Sequence, residues 1–375
     1  MAGIYLHIPF CKRKCHYCNF YSLANQKNRN EFHKALLKEI VLQKDYLKAE
    51  KVESIYFGGG TPSLLSVTEI AEIINQIHKH YSVNSDAEID LEANPDDLSI
   101  SQLTHYKSLG INRLSIGTQS FDDAILKNLN RVHSAQQAID TVIMAQNQGF
   151  ENISIDLIYG IPNLSNALWE QSIEQALKLN VSHISAYHLT VEPNTALEVL
   201  IRKNKYPKPI EEEGLQHAQI LMNTLQQHDY EHYEISNFAR SKKYSLHNTN
   251  YWRQKSYLGL GPSAHSFDLK SRQWNKASTK AYIEALEKDS LDFEREVINI
   301  NDQYNEFVML ALRTQWGVDE KELSEKFGIE KLAFFKNNIL KYIQQSKVEY
   351  QNGIYRLTNS GKSFADGIAS DLFNF

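Results

Sequence analysis

The chain has few of the features that mark secreted or membrane-spanning proteins. Its 375 residues contain only three cysteines, and an odd number of thiols in one short stretch excludes a disulfide framework. No apolar run reaches the roughly 18 residues that a membrane span needs. Residues 1–10 lack the basic region, apolar core and small-residue cleavage site of a signal peptide. We therefore expect a cytoplasmic protein in a reducing compartment.

Positive charge is not in excess either. Lysine and arginine together number 40 against 45 aspartates and glutamates, which gives a formal net charge of −5. This balance argues against a nucleic-acid-binding surface. Hydrophobic residues at 42% and charged residues at 23% are ordinary for a globular chain that buries a sizeable core. The composition thus predicts a soluble globular protein with no nucleic-acid partner.

The three cysteines lie within eight residues, as Cys11, Cys15 and Cys18 with the spacing C-x3-C-x2-C. A closed structural zinc site would need a fourth protein ligand, for which His7 or His16 is the nearest candidate. A cubane iron–sulfur cluster also normally takes four thiolates, so three leave one iron open to a small molecule. We favour the iron–sulfur cluster and keep zinc as the alternative.

The residues around the cysteines favour a reactive loop. A short apolar strand leads into Pro9 and then into the cysteine loop. Lys12, Arg13 and Lys14 stand between the first two cysteines, and nearby positive charge lowers the pKa of a thiol. We therefore expect these three cations to favour thiolates.

A second motif, Gly58-Gly59-Gly60-Thr61-Pro62, follows the predicted strand Val52–Phe57. Three glycines let the backbone approach a ligand closely and adopt dihedral angles that other residues avoid. The segment lacks the lysine of G-x4-G-K-[S/T] and the spacing of G-x-G-x-x-G, so it does not fit a phosphate loop. Alone, it indicates either a ligand contact or a simple turn.

The first half of the chain alternates strand-like and helix-like segments. The strand candidates are Ile4–Ile8, Val52–Phe57, Ala87–Glu92, Asn112–Gly117, Ile153–Ile158 and His183–His188. Amphipathic stretches lie between them: Glu31–Lys48, Val67–His80, Ser101–Leu109, Ala135–Gln148 and Ala167–Leu179. Such alternation implies parallel strands with right-handed crossovers, and six units fit an α/β fold with an incomplete parallel (β/α)6 barrel. In barrels the chemistry sits at the C-terminal ends of the strands.

The rest of the chain divides into two parts. We expect the barrel in residues 1–190, a barrel extension and connecting segment in 191–298, and a smaller helical, winged-helix-like domain in 299–375. The extension contains a helix at Glu211–His228, an extended segment at Tyr230–Phe238 and an irregular connection at Tyr244–Ser266. The last domain contains helices Tyr304–Arg313, Glu320–Lys326 and Lys331–Gln344 and a hairpin Val348–Thr358 that turns through Asn352-Gly353. The acidic balance argues against DNA binding by this winged-helix pattern.

Polar residues at or near the strand ends are the next candidates. Glu92 ends one predicted strand, Gln119 follows the next, and Arg131 lies shortly after it. Asp156 lies inside an apolar strand, where a buried acid is costly unless it has a partner. From the residues alone, a structural role for Arg131 and Asp156 is as good an interpretation as a functional one.

Taken together, these motifs resemble the radical S-adenosylmethionine (SAM) enzymes, and within them the oxygen-independent coproporphyrinogen III oxidase-like family. The matching patterns are Y-x-H-I-P-F-C-x3-C-x2-C, the glycine motif, E-x-N-P, G-x-Q-S, R-x-H and D-L-I-Y-G-x-P, in that order. The resemblance implies a [4Fe-4S] cluster on the three cysteines, whose open iron is chelated by the amino and carboxylate groups of SAM. An electron from the cluster can then cleave SAM to a 5′-deoxyadenosyl radical. The SAM-binding residues it implies are Tyr5, Tyr17, Gly59, Gly60, Thr61, Glu92, Gln119, Arg131, Asp156 and His265.

One departure separates this chain from the oxidases. They carry a further cysteine two positions after Cys18, where this chain has Phe20. In addition, the segment 247–252 spells H-N-x-x-Y-W, which resembles the heme chaperone branch of the family. The resemblance implies a heme site, and the candidate residues are His247, Asn248, Tyr251 and Trp252. Composition alone favours a turn-capping His247 with core aromatics, and His265 is the rival or second ligand.

Two functions from different classes follow. The first is a chaperone that binds heme and delivers it to acceptor hemoproteins, for example in the respiratory chain. The second is a coproporphyrinogen III dehydrogenase that oxidatively decarboxylates the substrate's propionates. Only the first accounts for Phe20 and the H-N-x-x-Y-W segment, so we favour it; an unrelated radical SAM substrate is a third alternative. A transient membrane-protein contact and a homodimer are compatible with either, and the sequence leaves open whether SAM is cleaved, whether a second SAM site operates and whether heme is held covalently.

Overall fold

The structure, a computed structural model, describes residues 1–374. Six parallel strands form the open barrel, in the order of the chain: β1 Ala2–Ile8, β2 Val52–Gly59, β3 Val83–Ala93, β4 Arg113–Gln119, β5 Asn152–Tyr159 and β6 His183–His188. The helices between them are α1 Arg29–Leu42, α2 Val67–His80, α3 Ile100–Ser108, α4 Asp123–Asn128, α5 Ala135–Asn147 and α6 Asn166–Lys178. The predicted α/β fold with an incomplete (β/α)6 barrel is confirmed.

Helix α2 illustrates why these segments fold as they do. The side chain of Ser66 accepts a hydrogen bond from the amide of Glu69, and the side chain of Glu69 accepts one from the amide of Ser66. These two bonds form a capping box at the first turn. The helix buries Ile70, Ile73, Ile74 and Ile77, a spacing that places all four on one face. No helix among residues 1–374 is long and apolar enough to cross a membrane.

Six more strands extend the barrel sheet on both sides. After β6 come helices α7 Ala196–Arg202 and α8 Glu211–Gln227, then strands β7 Glu231–Glu234 and β8 Asn237–Ala239. Next come α9 Leu246–Trp252, β9 Tyr257–Leu260, β10 His265–Phe267, β11 Ser271–Asn275, α10 Thr279–Glu287 and β12 Phe293–Val297. The sheet runs β12-β11-β10-β9-β1-β2-β3-β4-β5-β6-β8-β7, with β9 parallel to β1 and β8 antiparallel to β6.

The C-terminal part has a hydrophobic cluster of its own, from Tyr304 to Leu372. Its elements are α11 Ile300–Leu312, β13 Val318–Asp319, α12 Glu320–Phe327, α13 Ile329–Gln344, β14 Val348–Gln351, β15 Ile354–Leu357, α14 Asn359–Lys362 and α15 Ala365–Ser370. The hairpin turns through Asn352 and Gly353, both with positive φ, as a type I′ turn requires. We propose residues 190 and 298 as the boundaries between the barrel, its extension and this unit.

Some elements differ from the prediction. Helix α1 ends at Leu42 rather than Lys48, because residues 43–49 turn back and Lys48 and Ala49 adopt positive φ. Helices α4 and α7 are too short, at 6 and 7 residues, to show a helical period in the sequence. The predicted irregular connection Tyr244–Ser266 contains helix α9, which Ser245 caps, as well as strand β9 and the start of β10.

The barrel interior below the site contains charged and polar groups. Asp90 on β3 and Arg113 on β4 form an ion pair with an Nε to Oδ2 distance of 3.0 Å, and both side chains are 1% exposed. Ser115 donates to both carboxylate oxygens of Asp90. This pair connects neighbouring strands beneath the residues that reach the mouth of the barrel.

Candidate functional site

A cavity of about 390 Å³ opens at the C-terminal ends of the barrel strands. Most of the predicted site residues line it: Cys11, Cys15, Tyr17, Cys18, Gly59, Gly60, Thr61, Glu92, Gln119, Arg131 and Asp156. They come from the cysteine loop, from strands β2 to β5 and from the segment after α4. The structure therefore brings together residues that are up to 145 positions apart in the sequence (156 − 11).

The cysteine loop is closed at its base. The amide of Cys11 donates to the carbonyl of Leu23, and the amide of Leu23 donates to the carbonyl of Pro9. The far side of the loop is tied down as well, since the amide and Nδ1 of His16 contact the carbonyls of Leu129 and Asn128. All three thiols are free cysteines, and they face the cavity from a loop whose backbone is fixed at both ends.

Arg131 connects the cysteine loop to two barrel strands. Its Nη1 lies 3.4 Å from the sulfur of Cys15, and its Nη2 donates to Asn94 Oδ1 and to the carbonyl of Gly117, both at 2.7 Å. Its buried Nε has no hydrogen-bond partner among residues 1–374. This guanidinium is the cation in direct contact with a thiol.

The expectation that the lysines and arginine of the loop produce thiolates is not supported. Lys12 forms salt bridges with Asp96 and Asp97, so its charge is already neutralised. Burial raises the pKa of the Cys11 thiol, and it also raises the pKa of Cys18 although Lys14 acts in the opposite direction. For these two thiols, desolvation outweighs the nearby positive charge.

The glycine motif packs directly against the end of β1. A Cβ atom on Gly60 would lie 2.7 Å from the carbonyl oxygen of Phe10 and 2.8 Å from that of Ile8. Gly59 has φ +105° and a Cβ there would lie 2.7 Å from the ring of His7. The glycines are therefore required for the fold of this edge, and they leave free space on the cavity side.

Two acids form the inner wall. Glu92 accepts a hydrogen bond from Tyr56 Oη at 2.7 Å and another from the amide of Gly59. Burial raises the pKa of Glu92 to about 8, and the negative charge of Asp156 adds to the effect. Burial likewise raises the pKa of Asp156 to about 6. A ligand with positive charge or hydroxyl donors would relieve both penalties.

Gln119 reaches the cavity through an irregular strand end. The register between β4 and β5 shifts between Ile116 and Gln119, and Gln119 has φ +65°, which is uncommon for a residue other than glycine. A bulge of this kind redirects a side chain, and such positions are frequent beside functional sites. Here it places the carboxamide of Gln119 on the cavity wall.

These residues fit the cofactors that the motifs imply. Three thiols without a fourth protein ligand match a cluster with one open iron. The space beside Gly59 and Gly60 would allow a ligand to contact the backbone closely. The acidic wall fits a ligand that has ribose hydroxyls and a sulfonium charge, as SAM does. The unpaired Nε of Arg131 is a further donor that a ligand could satisfy.

Two predicted SAM residues do not line the cavity. Tyr5 lies inside the barrel, where its hydroxyl contacts His7 Nδ1 at 3.1 Å and its ring stacks on Tyr56. His265 is exposed at the start of β10, where its ring stacks on Trp274 with centroids 5.9 Å apart. Their contact with a ligand would be indirect for Tyr5 and outside this cavity for His265.

The surroundings of His247 argue against its predicted role as a heme ligand. Helix α9 inserts this side chain into the barrel, where it is 1% exposed. Nδ1 lies 2.9 Å from Ser54 Oγ and Nε2 lies 2.8 Å from Tyr251 Oη, so both ring nitrogens are occupied. The His247 ring also stacks on Tyr56. The imidazole holds the helix in place, and a heme iron would have to displace one of these two hydrogen bonds.

The other residues of the H-N-x-x-Y-W segment make contacts that hold helix α9 in place. The backbone amides at 246 and 247 donate to Glu88 Oε1, which anchors the start of the helix on β3. The amide of Asn248 donates to the capping Ser245. The guanidinium of Arg313, just after α11, lies 5.6 Å from the ring of Trp252. The segment joins the barrel to the C-terminal unit.

Some cavity residues were missed. Asn94 accepts from Arg131 and donates to Thr61 Oγ1 at 3.2 Å, and it belongs to the E-x-N-P pattern from which only the glutamate was chosen. Tyr187 and His188 lie at the end of β6 and also line the cavity. The rule that sites form at the C-terminal ends of barrel strands would have found both.

Comparison with known families agrees with this geometry. Residues 5–176 match the Radical SAM superfamily, and residues 299–364 match the HemN C-terminal domain. In fold, the chain is similar to the coproporphyrinogen III oxidase HemN from Escherichia coli, with a TM-score of 0.87 over 100% of this chain and 90% of that one. The two sequences are 22% identical, so this likeness concerns the fold.

Curated relatives are closer in sequence. The chain is 34% identical over 366 residues to the heme chaperone HemW of Bacillus subtilis, covering 96% of both chains. It is 33% identical to the protein of the same name from Haemophilus influenzae, covering 96% of this chain and 95% of the relative. It is also 35% identical over 293 residues to the bovine mitochondrial radical S-adenosyl methionine domain-containing protein 1, covering 77% of this chain and 65% of the relative. The chain belongs to the HemW family of the radical SAM superfamily.

Proposed function

We propose that this protein is a heme chaperone that carries a [4Fe-4S] cluster, binds SAM beside the cluster, and delivers heme to acceptor hemoproteins. The proposal is supported by one combination of findings. The chain aligns over 96% of its length with a relative named as a heme chaperone, and its three thiols share one cavity with the acids, glycines and arginine that SAM binding needs.

The cluster would be held by Cys11, Cys15 and Cys18. When bound, such a cluster supplies one-electron chemistry and one iron that is open to the amino and carboxylate groups of SAM. Thr61 and Ser22 hydrogen-bond to Cys11 and orient its sulfur. Arg131 at Cys15 places a positive charge beside a centre whose thiolates are negative.

SAM would occupy the rest of the inner cavity. Gly59 and Gly60 would leave space for its methionine part, and Glu92 and Asp156 would accept hydrogen bonds from its ribose hydroxyls. The sulfonium charge would lower the cost of ionising these two buried acids. Gln119 and Arg131 complete the polar lining.

The chaperone function is favoured over oxidation by the residue at position 20. The oxidases carry a cysteine there, whereas this chain has an exposed phenylalanine that cannot ligate a metal. We propose that the protein works in the cytoplasm and that its acceptors include hemoproteins of the respiratory chain, which would require a transient contact with a membrane protein.

A second candidate function is the oxidative decarboxylation of coproporphyrinogen III. The observation in its favour is that the three thiols and eight of the ten predicted SAM-site residues line one cavity, which a purely carrying protein does not need.

One anaerobic assay separates the two functions. Reconstituted protein is incubated with coproporphyrinogen III, SAM and dithionite, and the products are separated by chromatography. We expect no protoporphyrinogen, while the same preparation binds hemin in a saturable titration. Turnover of coproporphyrinogen III over many cycles would establish the dehydrogenase and overturn the chaperone proposal.

A further inference from the structure

Two large aromatic side chains that line the cavity are partly exposed, and the hydroxyl of Tyr187 reaches inward to Ser185 and Asp156. Phe20, at the end of the cysteine loop, is 65% exposed, and Tyr187, at the end of β6, is 44% exposed. Both line the same cavity as the three cysteines. Aromatic rings left in water beside a cavity provide flat apolar area for a ligand, and burying them is favourable.

The histidine next to Tyr187 has no assigned role. His188 is exposed and lines the cavity, and within residues 1–374 neither of its ring nitrogens has a hydrogen-bond partner. Its ring is held by close packing instead. A Cβ on Gly214 would lie 2.2 Å from its Nε2, one on Gly160 would lie 2.6 Å away, and the Tyr159 ring centroid lies 5.4 Å away.

Because Nε2 is packed against Gly160 and Gly214, Nδ1 is the nitrogen that His188 has left for a metal. Burial lowers the pKa of His188, although the charge of Glu211 acts in the opposite direction. The imidazole is therefore neutral near pH 7, which is the form that binds iron. The contrast with His247 is direct, because both nitrogens of His247 are already hydrogen-bonded.

The rim also carries positive charge that is not neutralised. Arg13 and Lys14 are exposed and line the cavity, and in the described part of the chain neither forms a salt bridge. Their neighbour Lys12 is paired with Asp96 and Asp97. Two free cations beside an aromatic surface match a flat apolar ligand with two carboxylates, and arginine is well suited to bind carboxylates.

We propose that heme binds at this rim, with its ring against Phe20 and Tyr187, its propionates at Arg13 and Lys14, and its iron bound by His188. The proposal rests on the proposed chaperone function and gives it a site. The cavity then has two chemically different parts. The inner wall is acidic, at Glu92 and Asp156, and suits a cationic ligand, whereas the rim carries two aromatic rings and two cations beside one carboxylate, Glu192, and suits a dianionic tetrapyrrole.

The test is an anaerobic hemin titration of cluster-reconstituted protein in the presence of SAM, followed by absorption spectroscopy. Phe20→Ala and Tyr187→Ala should each weaken binding roughly ten- to a hundredfold, as expected when a large apolar contact is lost. Tyr350→Ala, which removes a tyrosine that is 50% exposed on the C-terminal hairpin, is the matched control and should bind like the wild type.

The iron ligand and the charges have separate readouts. His188→Ala should change the Soret band, and added imidazole should restore it, whereas His265→Ala should keep the wild-type spectrum. Arg13→Gln and Lys14→Gln together should weaken binding severalfold and make it less sensitive to salt. The iron and sulfide content of every variant should equal that of the wild type. If Phe20→Ala loses the cluster, Tyr187→Ala still tests the aromatic contact, because Tyr187 is far from the cysteine loop in sequence.

The outcomes separate the site from the function. If the wild type binds hemin saturably and the rim variants bind it with unchanged affinity and spectrum, the rim site is wrong and the chaperone function stands. A spectral change in His265→Ala but not in His188→Ala would also overturn the proposal. If the wild type shows no saturable binding, the chaperone function itself fails.

Discussion

The affinity for SAM should depend on pH through Glu92. Burial raises the pKa of this carboxyl to about 8, and the groups that face it are Tyr56, the amide of Gly59 and the acids Asp156 and Asp90. The sign follows from the raised pKa. Below about pH 8 the side chain holds its proton, so a ligand that needs the carboxylate binds more tightly as the pH rises. At pH 6 about 1% of Glu92 is ionised. The association constant for SAM should therefore be about a hundredfold lower at pH 6 than on the plateau above pH 9.

The comparison between wild type and Glu92→Gln isolates this effect. The amide cannot ionise, and the amino group of SAM titrates identically with both proteins. The slope of the logarithm of the association constant against pH, between pH 6 and 8, should therefore be smaller in the variant by about one. Equilibrium dialysis of radiolabelled SAM against anaerobically reconstituted protein provides the constants.

A second variant tests the direction. The hydroxyl of Tyr56 donates to Glu92 and thereby lowers the pKa of that carboxyl. Tyr56→Phe removes this hydroxyl, so the pKa of Glu92 should rise and the increase in SAM affinity should move to higher pH. Parallel slopes for wild type and Glu92→Gln would refute the assignment of Glu92 as an ionising SAM contact.

Three further predictions concern the cluster and the barrel interior. Replacing any one of the three cysteines by Ala should abolish the four-iron cluster in iron and sulfide analysis; full clusters in all three variants would exclude the assignment, and stoichiometric zinc in unreconstituted protein would favour zinc. Arg113→Met leaves Asp90 buried without its partner and should lower the free energy of unfolding by about 3–5 kcal/mol in urea denaturation, whereas Lys280→Ala, which removes an exposed pair with Glu284, should change it by less than about 0.5 kcal/mol. His247→Ala should lower the melting temperature through two lost hydrogen bonds but leave the hemin spectrum unchanged, and a shifted Soret band in this variant would restore the original heme assignment.

The barrel was predictable because its physics is local. Strands buried on both faces consist of apolar runs, and this holds along β5 from Asn152 to Tyr159 apart from Asn152, Ser154 and Asp156. Capped amphipathic helices such as α2 show their period and their boundary. Sites in barrels form where the parallel strands end. This rule alone predicted that residues from different strands would line the same cavity.

The errors arose where the outcome depends on tertiary packing. The period of a strand tells which side chains alternate, but it does not tell how deep in the barrel a side chain lies, so the position of Tyr5 inside the barrel could not be predicted. The same limit applies to His247, whose partners Ser54 and Glu88 come from distant strands. The effect of charge on the thiols was also misjudged, because desolvation depends on burial that the sequence does not reveal.

The most direct test of the account is the hemin titration of wild-type protein that carries its cluster and SAM. Heme is added anaerobically, unbound heme is removed by gel filtration, and bound heme is counted by the pyridine hemochrome method. The account predicts saturable binding of one heme per chain with a shifted Soret band. Binding that does not saturate, or a spectrum that stays that of free hemin, would contradict it.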